Sequence, residues 1–209
     1  MRLSYFLIAA IAVLLSGCTV KDKPIFNGVD FSGWQIHGDA KWYIEDGNLV
    51  GESGDGESSG YLATLKDYND FELQLEFFPV EMKNSSGVFF RTKFVGKEVS
   101  GWKAEIAETE HGTGSIFEQN GRGWLEQISE QDEEAFKMGQ WNRMKIKVVG
   151  GTVSTWLNGD LMVTLSDEKI ASGVGVVAFQ IHKGGGVKII WRNVRVKELD
   201  KLEKVNHFF

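Results

Sequence analysis

Two apolar stretches of the sequence end in polar residues that could bind or transform a ligand. In the stretch 174–182, Gln180 and His182 share one face when the residues are taken at period two. Histidine is the side chain that changes charge nearest neutral pH, which makes His182 the first candidate for a general base. The alternative interpretation is a histidine at the rim of a sheet that hydrogen-bonds only the backbone.

Glu105 and Arg91 complete the predicted catalytic set. In the stretch 101–107 the apolar residues share one face, which leaves Lys103 and Glu105 together on the other. Glu105 could act as a general acid, although alternating solvated Lys and Glu on a strand is an equally good interpretation. Arg91 follows Val-Phe-Phe, and a guanidinium there could clamp the oxygens of a ligand or stabilise a negative charge that develops in a reaction. An ion pair between Arg91 and Glu105 is the structural alternative.

Four further residues are predicted to bind substrate. Gln180 shares the face of His182, and Arg192 could line that face or rim the sheet. Arg122 and Trp124 lie in a glycine-rich loop, where the indole could stack on a sugar ring. With 7 Trp in the chain, a position in the core is the competing interpretation for Trp124.

The sequence establishes no cofactor and no metal site. A divalent ion held by His182 and Glu105 would be chemically reasonable, whereas His37 and His111 show no metal-ligand spacing. A glycosidase with two catalytic carboxylates is disfavoured, because Glu105 and Glu108 are three residues apart and point to opposite faces of a continuous strand.

Short alternating strands must position these residues. Residues 71–77 and 144–148 alternate apolar and polar without a fault, and Asn158-Gly159 between two apolar runs predicts a hairpin. About ten such strands with almost no helix predict an all-β, two-sheet antiparallel sandwich. The glycine-rich stretch 51–60 is predicted to be either a surface loop or a lid over the site. The formal charge of −6 argues against nucleic acid as a partner.

The N-terminus is predicted to be an export signal with a lipid attachment site. Arg2 precedes an apolar run over 5–15, which is too short to span a bilayer, and residues 15–18 resemble a bacterial lipobox. The expected organisation is a signal peptide at 1–17, a tether at 18–24 from a lipidated Cys18, and one domain at 25–209. The protein would then be anchored in the bacterial cell envelope, with a periplasm-facing outer membrane as the expected location. The alternative is a simple secretory signal with an incidental cysteine.

The order of motifs after residue 24 resembles the 3-keto-disaccharide hydrolase domain family. The matching motifs are Ile25–Gly28, Ser32–Trp34, Trp42–Leu49, Tyr68–Leu73, Asn84–Arg91, Asn120–Leu125, Trp141–Asn142, Leu157–Gly159, Phe179–His182 and Trp191–Val194. The resemblance implies a jelly-roll sandwich like those of laminin-G and concanavalin-like lectins. His182 matches the family's Gln-x-His pattern and Glu105 a Glu of one branch, while Glu108 stands where Asp is usual.

The resemblance also implies an activity. The family acts on sugars oxidised to a ketone at C3, which acidifies the C2 proton and allows the C1 substituent to leave by elimination or net hydrolysis. The alternative from another functional class is a non-catalytic, lectin-like carbohydrate-binding module at the cell envelope, since this sandwich hosts both. In either case the expected partner is a carbohydrate, and the membrane is contacted only through the lipid anchor.

Overall fold

A computed structural model describes residues 22–96, 98–108 and 112–199. The predicted signal peptide and Cys18 lie outside these residues, so the domain boundaries stay a prediction. Within the described ranges, no helix has the length and apolar character needed to cross a membrane.

The described residues form two antiparallel sheets. The first sheet has the strand order β13-β12-β11-β6-β15-β4-β3, with β1 paired to β15. Its strands are β1 (Lys23–Pro24), β3 (Lys41–Glu45), β4 (Asn48–Glu52), β6 (Phe71–Met82), β11 (Asn142–Val149), β12 (Thr152–Leu157), β13 (Asp160–Ser166) and β15 (Val187–Glu198).

The second sheet has the order β10-β9-β8-β7-β14-β5-β2. Its strands are β2 (Trp34–His37), β5 (Gly60–Tyr68), β7 (Ser86–Val95), β8 (Glu98–Ile106), β9 (Ile116–Gln119), β10 (Gly123–Glu126) and β14 (Gly175–Ile181). A 3₁₀ helix at Glu130–Ala135 and the short helix α1 at Glu168–Ala171 are the helical elements in the described part of the chain.

Alternation of apolar and polar residues builds the core between the sheets. In β6, Phe71, Leu73, Leu75 and Phe77 are buried against the second sheet, while Glu72, Gln74 and Glu76 face outward. Val88 and Phe179, on strands of the second sheet, pack into the same core. The two-sheet jelly-roll sandwich predicted from the sequence is therefore confirmed, and the predicted hairpin joins β12 to β13 through Asn158 and Gly159, both at positive φ.

A β-bulge in the middle of β7 changes which face its residues occupy. Arg91 has a φ of 48°, and the register with β8 shifts between Phe90 and Lys93. Phe89 lies on the outer face before the bulge and Phe94 lies on that face after it, where both pack with Tyr61. An uninterrupted strand would place these two phenylalanines on opposite faces. The bulge thus lets β7 place aromatic rings on its outer face along most of its length.

Candidate active site

Polar and aromatic side chains on the outer face of the second sheet form two cross-strand rows. The first row runs Glu105, Gly87, Gln180, Tyr61 and His37, across β8, β7, β14, β5 and β2. Directly paired residues on neighbouring antiparallel strands point to the same face, about 4.8 Å apart between strands. Glu105 and Gln180 are therefore separated by about 10 Å, with a glycine between them.

The second row is aromatic at one end and carries a lysine at its centre. It runs Trp124, Phe117, Lys103, Phe89 and Ala178 across β10, β9, β8, β7 and β14. Phe117 and Trp124 meet edge to face, with ring centroids 5.0 Å apart.

An open depression of about 710 Å³ lies over the two rows. Its volume falls in the range of ligand pockets. It brings together four of the residues predicted from the sequence, namely Glu105, Gln180, His182 and Trp124. The predicted loop 51–60 contributes to the rim through Glu57, Ser58 and Ser59.

A buried ion pair joins Lys103 to Glu105. Lys103 Nζ lies 2.6 Å from Glu105 Oε2, and the two residues are 6% and 2% exposed. At this distance the ammonium and the carboxylate oxygen form a close, charge-assisted contact, so Lys103 is the partner of Oε2. Gly87 makes room for this pair, because a Cβ there would lie 2.6 Å from Cγ and Cδ of Lys103. Any larger residue at position 87 would push the lysine stem away from β7.

Gln180 and Tyr61 form a second buried polar group in the depression. Gln180 Nε2 donates to Tyr61 Oη at 3.3 Å, and Gln180 Oε1 is buried without a donor. Burial raises the pKa of the Tyr61 hydroxyl, an effect that the hydrogen bond to Gln180 opposes. Buried polar atoms in proteins are normally hydrogen-bonded, so Gln180 Oε1 is a position where a ligand hydroxyl would be favoured.

A backbone carbonyl determines which ring nitrogen of His182 carries the proton. Its Nδ1 lies 2.8 Å from the carbonyl oxygen of Lys183, which can only accept a hydrogen bond, so Nδ1 carries the proton of the neutral ring. The other ring nitrogen, Nε2, then holds a free lone pair. Lys183 N in turn donates to Ser59 Oγ at 3.1 Å, which ties this turn to the loop at the rim. His182 is thus held in the tautomer that a general base requires.

Arg91 does not lie with the residues of the depression, contrary to its predicted place in the catalytic set, and it does not pair with Glu105. The bulge turns its side chain inward, where it is fully buried and pairs with Asp70 at 2.9 Å. Its Nη1 donates to the carbonyl oxygens of Gly150, at 2.7 Å, and Ile170, and its Nε donates to Asn69. Burial lowers the pKa of Arg91, and Asp70 opposes that effect. Arg91 therefore connects three chain segments inside the sandwich.

Arg122 also lies outside the depression, although its neighbour Trp124 lines it. Its guanidinium pairs with both carboxylate oxygens of Asp167, at 2.7 and 3.0 Å, and with Glu118. The hydrogen bonds from Arg122 lower the pKa of Asp167 to about 2. Asp167 is also the N-cap of α1, accepting from the backbone of Lys169 and Ile170. Arg122 thus fastens the β9-β10 turn to that helix.

Arg192 lies on the opposite side of the molecule from the depression. It sits on the outer face of the first sheet, where its Nε donates to Glu76 Oε2 at 2.7 Å. Its guanidinium covers the ring of Trp141 at 3.7 Å. The predicted grouping of Arg91, Arg122 and Arg192 with the site is therefore wrong in its geometry, because each arginine has carboxylate partners elsewhere.

The side chains described here do not offer a convincing metal site. No group of three or more His, Cys, Asp and Glu residues converges in the described residues. At Glu105, the ammonium of Lys103 already occupies the position that a cation would take. A site made from His182 and Glu105 alone would supply only two protein ligands, fewer than the three or four that divalent metal sites normally use.

The described strands define a jelly-roll sandwich with a polar depression on the outer face of one sheet. A protein from Parabacteroides distasonis, described as a candidate glycosyl hydrolase, has this fold with a TM-score of 0.62 and 24% identity, covering 84% of this chain and 92% of that chain. The carbohydrate-binding module CBM66 from Bacillus subtilis has it with a TM-score of 0.61 and 13% identity, covering 79% and 96%.

Residues 21–197 match the model of the 3-keto-alpha-glucoside-1,2-lyase-like domain, and the chain belongs to this family. It is also 26% identical to the 3-keto-disaccharide hydrolase of Bacteroides thetaiotaomicron, over 84% of this chain and 78% of that protein.

Proposed function

We propose that this protein cleaves 3-keto-glycosides in the depression on the second sheet. The observation that carries the proposal is the combination, in one sugar-sized depression, of a histidine held as a base with a buried lysine–glutamate pair. Membership of the 3-keto-alpha-glucoside-1,2-lyase-like family, and the similarity to a 3-keto-disaccharide hydrolase, support the choice of substrate.

The proposed reaction is an elimination. The C3 ketone acidifies the proton on C2, and His182 Nε2 removes that proton while the C–H electron pair forms an enolate. The enolate then expels the C1 substituent, whose oxygen takes the proton back from the His182 imidazolium, and a 3-keto-2-hydroxy-glucal remains. Addition of water across the new double bond completes a net hydrolysis. The enzyme must therefore supply a base, a cation near the C3 oxygen and a proton for the leaving group.

The geometry favours Lys103 over Arg91 as the cation at the C3 oxygen. Lys103 is the buried ammonium of the depression, whereas Arg91 faces the interior. Glu105 was expected to be the acid, but a carboxylate paired with an ammonium is an acceptor. We assign it the role of orienting Lys103 through their ion pair. Gln180 and Trp124 would bind the substrate.

Incubation with a 3-keto-glucoside, followed by mass spectrometry, tests the proposal. We expect either the keto-glucal or the free 3-keto-sugar to accumulate together with the released aglycone. The corresponding unoxidised glucoside is the control and should remain intact, because its C2 proton is not acidic. Unchanged 3-keto-glucoside after long incubation with folded protein would contradict the proposal.

A carbohydrate-binding module is the second candidate function. The aromatic pair of Phe117 and Trp124 beside an unpaired polar atom is also suited to holding a sugar without cleaving it. The similarity of fold to CBM66 is compatible with this function. Calorimetric binding of an unmodified oligosaccharide, by a protein that leaves 3-keto-glucosides intact, would favour the module.

We also propose that the protein is a lipoprotein of the bacterial cell envelope, attached through Cys18. The support is the lipobox-like sequence at residues 15–18. Replacing Cys18→Ser should leave the precursor uncleaved and without lipid, because the sulfur is the atom that is acylated. Mass spectrometry of the mature protein and membrane fractionation measure both effects. Cleavage at another position with a free thiol on Cys18 would contradict this assignment.

A further inference from the structure

The outer face of the first sheet concentrates positive charge, although the whole chain has a formal charge of −6. Strands β6, β11 and β15 pair so that their outward residues form three rows. Six cations occupy these rows, and we call them the basic face: Arg143, Lys145, Lys147, Arg192, Arg195 and Lys197. The carboxylates described among them are Glu72, Glu76 and Asp22, so the cations are in excess.

Two tryptophans lie within the basic face. Lys145 Nζ covers the ring of Trp156, and the guanidinium of Arg192 covers that of Trp141, both at 3.7 Å. A depression of about 460 Å³ at the centre of the face is lined by Lys145, Trp156 and Arg195, among other residues. Indole rings among Lys and Arg side chains are typical of surfaces that contact the headgroup region of a membrane.

The start of the described chain lies on this same face. Strand β1 pairs with the C-terminal part of β15, with Lys23 opposite Val196. Asp22 accepts a hydrogen bond from Arg195 Nε at 2.9 Å. Cys18 precedes Asp22 by four residues, and an extended chain spans at most about 14 Å over that length. A lipid on Cys18 would therefore hold the basic face close to the membrane surface.

We propose that the basic face docks on an anionic phospholipid surface. The substrate depression, on the outer face of the other sheet, then points away from the bilayer toward the solvent. The positive charge of the face requires a negatively charged partner. Asp22 lies on this face four residues after Cys18, so an anchored protein would meet phospholipid before other polyanions. The proposal does not rest on the proposed reaction, since a binding module would be oriented in the same way.

Vesicle binding tests this proposal. The protein from residue 19 to 209 contains every described strand but no lipid, so its binding reports on the basic face alone. We expect it to bind vesicles of phosphatidylcholine with phosphatidylglycerol, and to bind phosphatidylcholine alone at least about tenfold more weakly. Raising NaCl from about 50 to about 300 mM should release it, because salt screens exposed charges.

Two matched double variants locate the contact. Lys147→Gln with Lys197→Gln should weaken binding by about 25-fold, since each lysine near an anionic surface contributes about fivefold. Lys93→Gln in β7, combined with Lys183→Gln in the turn after β14, removes the same charge away from the basic face and should bind as the parent does. A thermal melt checks that all of these proteins are folded.

Three results would overturn the proposal. One is equal loss of vesicle binding in both double variants, and another is equal binding to vesicles with and without phosphatidylglycerol. The third is binding to alginate, a soluble acidic polysaccharide, without binding to vesicles, which would assign the face to a carbohydrate.

Discussion

Replacing His182→Ala should lower the turnover of a 3-keto-glucoside by about 100-fold or more. A positioned acid or base contributes about 10²–10⁴-fold to a proton transfer, and the lone pair on Nε2 is the base that removes the C2 proton. Substrate binding should be retained, since Gln180 still provides its unpaired Oε1 and Trp124 its ring. Steady-state kinetics of the variant should therefore show a lower kcat and a nearly unchanged KM. With the unsubstituted protein, a substrate that carries deuterium at C2 should react more slowly than the ordinary substrate.

His37 provides the matched control for this experiment. It lies in the same cross-strand row but outside the depression, where its ring stacks on Phe94 at a centroid distance of 4.1 Å. His37→Ala should leave kcat nearly unchanged, and a melt of each variant should separate lost chemistry from lost folding. Full turnover by His182→Ala, without an isotope effect in the parent, would exclude the elimination scheme.

Replacing Arg91→Met should destabilise the fold far more than replacing an arginine of a partly exposed ion pair. Removing one partner of a buried ion pair costs about 3–5 kcal/mol, because the other charge stays buried and unpaired. Here Asp70 would lose its guanidinium, and the carbonyl groups of Gly150 and Ile170 would lose their donors. Denaturant unfolding followed by tryptophan fluorescence should report a loss of that size in the free energy of unfolding.

Arg192→Met is the matched control, because it removes an arginine from a partly exposed ion pair. The side chain of Arg192 is 40% exposed, and such pairs contribute at most about 1 kcal/mol. Asp70→Asn in the Arg91→Met background should recover part of the loss by removing the unpaired charge. If Arg91→Met unfolds no more easily than Arg192→Met but loses activity, Arg91 belongs to the site after all.

The alternation of apolar and polar residues was sufficient to predict the fold and to pair the polar residues of two strands that line the depression. The faultless pattern in β6 and β11 places one face on the core, as the structure confirms. The same rule placed Gln180 with His182, and Lys103 with Glu105, because β14 and β8 are regular where these residues lie. Both pairs line the depression.

The three arginines could not be placed because their partners are distant in the sequence. Arg122 pairs with Asp167, 45 residues later, and Arg192 pairs with Glu76, 116 residues earlier. Arg91 was assigned to the site because it follows Val-Phe-Phe, and the sequence does not show the bulge that turns its side chain inward. Tyr61 was missed for another reason. It lies in a stretch of five successive buried residues, so no alternation indicates which face it occupies.

The bulge at Arg91 also predicts where length variation can be tolerated among natural or engineered homologues. Deleting one residue there would exchange the two faces of the rest of β7, removing Phe94 from the aromatic cluster and the guanidinium from Asp70. A change of length in the segment 53–59 would not shift the register of a strand, because this segment joins two strands at the rim of the depression. Insertions and deletions should therefore accumulate in that segment, where they would diversify the sugars accepted without loosening the sandwich.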